Sequence, residues 1–204
     1  MTGHEYSVSE SHRVFTGRVA ALRSDRVTMP GGGSSQRDVV ELPGAVGIVA
    51  LDPDARVLLV AQYRHPVGRR LWEIPAGLLD STVESAREAG ERELFEEGQV
   101  RARDWSTLVD VLTSPGLSDE TVRILLARCL EDVPPGERYT GVDEEADMQR
   151  QWVPLALAVQ RCLSGELENS ITVAGLMAAQ LSAAQGFAGL RDADAPWLAR
   201  KAPG

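Results

Sequence analysis

The stretch Arg87–Val100 reads REAGERELFEEGQV and carries five glutamates, Glu88, Glu91, Glu93, Glu96 and Glu97, with Glu84 just ahead of it. Val83, Ala86, Ala89, Gly90 and Leu94 supply a modest apolar side, so the spacing predicts a helix over 83–97. On that helix Glu93 and Glu97 are four apart and Glu93 and Glu96 three apart. Their carboxylates therefore share one face, with Cβ atoms about 5–6 Å apart. Like charges so placed repel by roughly 0.2–0.5 kcal/mol per pair, and solvent, an arginine or a metal ion must compensate. Arg92, four before Glu96, is placed to orient that carboxylate. Oxygen donors on a rigid element suit a hard divalent cation such as Mg²⁺ or Mn²⁺. Taken alone, the glutamates fit a solvated acidic face at least as well.

Upstream, RVFTGRVAALRSDRVTMP (residues 13–30) reads as strands, PGGGSSQ as a turn and RDVVEL as a returning strand. The glycine run is not a phosphate loop, because no Lys-Ser/Thr pair follows it and no helix opens after it. AVGIVALD and RVLLVAQY flank DPDA, a hairpin signal between two buried strands. RHPVGRRLWEIPAGLLD follows as an arginine-rich, loop-like segment. Downstream, WSTLVDVLTSPG and ETVRILLARCL read as strands around SPGLSDE, and PPGERYTGVDEEADMQ as an acidic loop. Two helices are expected at Leu155–Leu163, ended by Gly165, and at Ile171–Ala184, ended by Gly186. Strands, one helix, more strands and closing helices suggest a mixed α/β sandwich rather than a regularly alternating doubly wound sheet.

With 43% hydrophobic and 25% charged residues, the 204-residue chain has the makings of an ordinary globular core. Its formal net charge of −9 argues against non-specific binding to nucleic acid or an anionic membrane. Cys129 and Cys162 lack metal-type spacing and read as buried thiols of a cytoplasmic protein. No signal peptide is visible, and no apolar run approaches the ~20 residues of a membrane span. The expected organisation is an N-terminal β arm over 1–43, a main domain over 44–186 and a weakly ordered tail over 187–204.

Gly77, Glu84 and the run Arg92-Glu93-Leu94-Phe95-Glu96-Glu97 resemble the Nudix box, G-x5-E-x7-R-E-U-x-E-E-x-G-U, where U is bulky and aliphatic. Glu84 precedes Arg92 by the required seven intervening residues, and Val100 closes the pattern. Two departures stand out. Six residues rather than five separate Gly77 from Glu84, and Gln99 stands where the box has glycine, with Gly98 one position earlier. Because helices favour glycine in the left-handed conformation at their C-terminus, the expectation is a helix that stops one residue early, on Gly98.

QYRHP (residues 62–66), LWEIPAGLLD, SPGLSDE and EEADM extend the resemblance to the ADP-ribose pyrophosphatase branch of the Nudix hydrolases, over roughly residues 10–185. The resemblance implies an α/β/α sandwich with a mixed sheet behind an N-terminal β-strand arm, and metal-dependent hydrolysis of ADP-ribose to AMP and ribose 5-phosphate. It implies Mg²⁺ or Mn²⁺ held by Glu93, Glu97, Glu96 and the carbonyl of Ala76, with Arg92 holding a box carboxylate in place. Glu84 is either an outer-shell residue or a helix N-terminal acid favoured by the dipole. The implied general base is Glu145, with Glu144 the alternative. Arg64 and Glu73 are the expected contacts to phosphate, ribose or adenine, and Ser118 and Glu120 to the terminal ribose. Trp72 is either a site residue or core, and His65 reads as a packed loop residue. The branch also implies a homodimer with exchanged N-terminal strands, and no nucleic-acid or membrane partner. Competing readings are hydrolysis of another nucleoside diphosphate sugar, or a non-catalytic ADP-ribose sensor.

Overall fold

A computed structural model describes residues 5–79, 84–140 and 148–200. The chain divides into two units: residues up to Gly44 together with Leu112–Thr121, and Ala45–Val111 together with Val122 onward.

The first unit is a three-stranded antiparallel sheet in the order β1 (Ser7–Thr16), β2 (Ala21–Thr28), β3 (Ser34–Glu41). The glycine run does form the β2–β3 turn: Gly32 sits at φ 87°, a left-handed value that favours glycine, and its N–H donates to the Met29 carbonyl at 2.9 Å. All ten residues of β1 are exposed. Ser118 and Glu120 belong to this unit, in a turn where the Leu117 N–H donates to the Ser114 carbonyl at 2.9 Å and the Thr113 hydroxyl donates to the Glu120 carboxylate.

The second unit holds the core. β4 (Ala45–Ala50) pairs in parallel with β9 (Thr121–Asp132) and antiparallel with β7 (Ala76–Leu78). Beyond β9 lie β8 (Val100–Leu112) and the short β11 (Arg191–Asp192), completing a five-stranded mixed sheet. β5 (Arg56–Arg64) lies between β10 (Gln149–Pro154) and β6 (Arg69–Glu73) in a separate antiparallel sheet. The turn over DPDA is therefore present, with the Asp52 N–H donating to the Arg56 carbonyl at 3.0 Å, but its strands do not form a hairpin. After one bridge, Leu51 to Val57, they part into different sheets. Val46, Ile48, Val49, Val57, Leu58 and Leu59 are all buried, as strands covered on both faces must be.

The predicted helix is shorter at its start. Its first turn is fixed by a capping box: the Ser85 hydroxyl accepts from the Glu88 N–H at 3.1 Å, and the Glu88 carboxylate accepts from the Ser85 N–H at 2.8 Å. α1 runs Ala86–Glu93 and continues as a five-residue π turn, Leu94–Gly98. α2 (Leu155–Leu163) and α3 (Ser170–Ala183) pack against each other and against β10 and β4 respectively. None of the described helices is long and apolar enough to cross a membrane.

Two expectations are corrected here. Cys129 is exposed rather than buried, at φ 53°, although both thiols are free. Over residues 187–200 the tail is built into the fold. Arg123 is only 2% exposed, and its guanidinium forks onto Asp110 at 2.8 and 3.1 Å. It also donates to the carbonyls of Ala195 at 2.6 Å and Pro196 at 3.2 Å, and lies 5.0 Å from the Trp197 ring centroid. A buried guanidinium needs acceptors for all its donors, and Asp110 and the tail supply them together. Arg123→Met is expected to cost about 3 kcal/mol in denaturant unfolding and to open residues 187–200 to limited proteolysis. An unchanged cleavage pattern would count against this anchoring role.

Candidate active site

α1 carries its carboxylates onto the segment that follows β6. Glu93 and Glu97 are 7% and 3% exposed, and both face β7. The Ala76 N–H donates to Glu97 Oε2 at 2.9 Å. Glu93 leans on the bare backbone of Gly77, where a Cβ would fall 1.9 Å from its Oε1. That close approach gives the box glycine a steric reason, and the one-residue insertion after it does not disturb the contact.

Arg92 ties the cluster together. Its Nη1 lies 2.5 Å from Glu93 Oε1 and 3.6 Å from Glu96 Oε2, and its Nε donates to Glu84 Oε1 at 3.2 Å. Its Nη2 donates to the Leu78 carbonyl at 3.0 Å. Burial works against the charged guanidinium, but the hydrogen bond to Glu84 and the field of Glu93 outweigh it and raise the Arg92 pKa. Glu84 is thus a partner of Arg92.

Three carboxylates around one guanidinium, with Glu97 on the Ala76 N–H, leave negative charge in excess at a partly buried place, and every donor is a hard oxygen. That chemistry fits a divalent cation. Among the described residues, however, no three acidic side chains converge as a ready-made shell, and Arg92 and the Ala76 N–H each take a carboxylate oxygen. Gly77→Ala is expected to displace the Glu93 carboxylate and cut turnover by about 10–100-fold, with a matching loss of Mn²⁺ affinity in titration. Wild-type Mn²⁺ affinity in this variant would show that Glu93 is not a ligand.

The helix end departs from expectation. Gln99, not Gly98, takes the left-handed conformation, at φ 59° and ψ 30°. Gly98 stays inside the π turn for a different reason: a Cβ there would meet Leu94 Cδ1 at 2.9 Å and Leu58 Cδ2 at 3.0 Å. A non-glycine residue in this conformation costs roughly 1–2 kcal/mol. Gln99 offsets part of that cost by donating from Nε2 to the carbonyls of Glu96 and Tyr139, both at 3.1 Å.

Arg64 and Glu73 come together, but on each other. Arg64 on β5 reaches Glu73 on β6 with Nη2 at 2.7 Å and Nε at 3.1 Å. Glu73 is 2% exposed, and its carboxylate holds Arg64. Trp72 packs against the core, and His65 sits exposed in a short 3₁₀ turn, its ring 6.1 Å from that of Tyr63. Glu144 and Glu145 lie outside the described residues. The sequence reading missed Arg150 on β10, whose Nε donates to the Glu97 carbonyl. No motif in the sequence marks it.

A family model described as the NUDIX domain matches residues 41–171. The chain belongs to the NUDIX family. It is 46% identical over 200 residues to an ADP-ribose pyrophosphatase of Mycobacterium tuberculosis, covering 98% of this chain and 95% of that protein. It is also 32% identical over 180 residues to a methanol dehydrogenase activator of Bacillus methanolicus, covering 88% and 95%. Among solved structures it is similar to the crystal structure of an ADP compounds hydrolase, with a TM-score of 0.76 and 22% identity over 89% of this chain and 96% of that chain. At that identity the likeness speaks for the fold. The matched residues include Gly77–Val100, the stretch that resembles the NUDIX box with glutamine at its glycine position.

Proposed function

We propose that this NUDIX enzyme hydrolyses the diphosphate of ADP-ribose to AMP and ribose 5-phosphate. The observation that carries the reading is the pair of buried carboxylates, Glu93 and Glu97, held on one helix face by Arg92, Gly77 and the Ala76 N–H. The substrate follows from the 46% identical relative named ADP-ribose pyrophosphatase. Glu93, Glu96, Glu97 and the Ala76 carbonyl would hold a divalent cation, Mg²⁺ with Mn²⁺ as substitute, which would supply charge neutralisation at the diphosphate and a more acidic water.

The protein's own groups do the positioning. Arg92 sets the Glu93 and Glu96 oxygens, and Glu73 holds the Arg64 fork for phosphate or ribose oxygens. Ser118 and Glu120 serve the terminal ribose. Glu145 takes the proton from the attacking water as its oxygen bonds to phosphorus and the bridging P–O bond breaks. The partner is then a small nucleotide sugar, not nucleic acid.

Incubating the protein with a panel of nucleotide sugars and Mg²⁺ or Mn²⁺, with product identification, tests this. Turnover of another nucleoside diphosphate sugar in preference to ADP-ribose would replace the substrate, and binding without cleavage would turn the enzyme into a sensor. Two free thiols suit a reducing cytoplasm.

A homodimer through the N-terminal strands is part of the same reading. Among the described residues β1 pairs only with β2, and Val8, Val14 and Phe15 are more than half exposed along it. An exposed edge strand is a template for a second copy. Light scattering at monomer mass would reject the dimer.

A further inference from the structure

We propose that Arg200 is a positioning residue of the box: its guanidinium fixes the peptide after Glu84 and, through Glu84, the Arg92 fork. The proposal rests on the reading that Glu93 and Glu96 hold the divalent cation. Arg200 Nη2 donates to the Glu84 carbonyl at 2.9 Å. The N–H of the same peptide, that of Ser85, donates to Glu88 Oε2 at 2.8 Å. A planar peptide held at both ends restricts ψ at Glu84, and with it the direction in which the side chain leaves the backbone. The two oxygens of that side chain take Arg92 Nε at 3.2 Å and Nη2 at 3.3 Å. Arg92 in turn lies 2.5 Å from Glu93 and 3.6 Å from Glu96. An unbroken line of polar contacts thus joins Arg200 to the box carboxylates.

The segment that carries Arg200 is braced on the sheet and on α1. β11 pairs with β8, and the Thr107 hydroxyl donates to the Asp192 carbonyl at 2.9 Å. Arg123 on β9 holds the carbonyls of Ala195 and Pro196. Trp197 packs against the buried cluster to which Ala86 and Ala89 of α1 belong, and the Arg200 N–H donates back to the Trp197 carbonyl at 3.1 Å. Charge joins the segment to the helix as well. The hydrogen bond to Glu91, and then the fields of Glu91, Asp194 and Asp192, raise the Arg87 pKa against the cost of burial.

Anchoring the segment does not account for the Arg200 contact, since β11 and Arg123 already hold residues 191–196. What Arg200 adds lies at Glu84, one residue before the N-cap Ser85, where the ladder of helix hydrogen bonds has not begun. A second hold is needed there if the carboxylate that braces Arg92 is to stay in place.

The test is a double-mutant cycle read by Mn²⁺ titration. Groups that directly orient a metal ligand cost about 10–100-fold when lost, so Arg200→Ala, further out, is expected to lower Mn²⁺ affinity about three- to tenfold. kcat at saturating Mn²⁺, KM and the metal-free melting temperature should stay near wild type. A role in stability alone would instead lower the melting temperature and leave Mn²⁺ affinity unchanged. In a Glu84→Ala background no carboxylate remains to be placed, so adding Arg200→Ala should cost less than about twofold more. Wild-type Mn²⁺ affinity in Arg200→Ala would overturn the proposal, as would a loss that multiplies in full with that of Glu84→Ala. Failure of the ligand reading shows itself separately, as a wild-type protein that takes up no Mn²⁺. Hydrogen exchange of the metal-free protein then decides the hold on Glu84. Amides of residues 84–89 are expected to exchange about threefold faster in Arg200→Ala, and unchanged exchange would overturn it.

Discussion

Glu97→Gln is expected to lower kcat/KM by more than a hundredfold while leaving the fold at least as stable. Changing a group that merely orients a metal ligand costs about 10–100-fold in affinity or activity, and a ligand should cost at least as much. Glutamine keeps the volume and one oxygen of Glu97, so the Ala76 N–H, now 2.9 Å from Oε2, retains an acceptor. What disappears is one negative charge from a cluster that also holds Glu84, Glu93 and Glu96 around Arg92. Without metal that charge repels its neighbours, so the metal-free melting temperature should hold or rise. With metal the order reverses. A cation that binds only the folded state stabilises it in proportion to its affinity, so the rise in melting temperature on adding Mn²⁺ should be much smaller in the variant. Near-normal turnover of Glu97→Gln at saturating Mg²⁺ would remove Glu97 from the ligand set.

The box helix was legible because its information is local. Glu93, Glu96 and Glu97 at helical spacing place three carboxylates on one face of any helix, with Arg92 four before Glu96. The start of that helix was equally legible in Ser85 and Glu88, a capping pair the periodicity argument passed over. Where β4 and β5 go was not legible. A run such as RVLLVA is apolar on both faces, so it fixes burial but not the sheet the strand joins. The tail misled for the opposite reason. Arg123 reads as a surface residue by hydropathy, yet it is buried, and its donors hold Ala195 and Pro196. At Gln99 a sound rule about glycine and helix ends met a long-range hydrogen bond to Tyr139, which no local rule contains. Glu73 shows the same limit: nothing local says that Arg64, nine residues earlier, folds back onto its carboxylate.

Glu145→Gln is the second variant with a large expected effect, a fall in kcat of about 10²–10⁴-fold. KM should change little, because the substitution removes a proton acceptor and leaves the groups that hold the diphosphate. The box carboxylates are poorly placed for the same task. Glu93 is in contact with Arg92 and Glu97 with the Ala76 N–H, so turning either carboxylate onto a water would break that contact, at a penalty. A carboxylate outside the cluster escapes that penalty. The run Asp143–Asp147 is such a source, and the described residues on both sides of it are hydrogen-bonded to the last turn of the box helix. Glu144→Gln should be far less damaging, since adjacent residues of an extended or looped chain do not present their side chains to the same point. If Glu144→Gln is instead the slow enzyme, the acceptor lies one residue earlier. If both variants turn over normally, the proton goes to Glu96 or Glu97 despite their contacts, and the acidic run has no part in the chemistry.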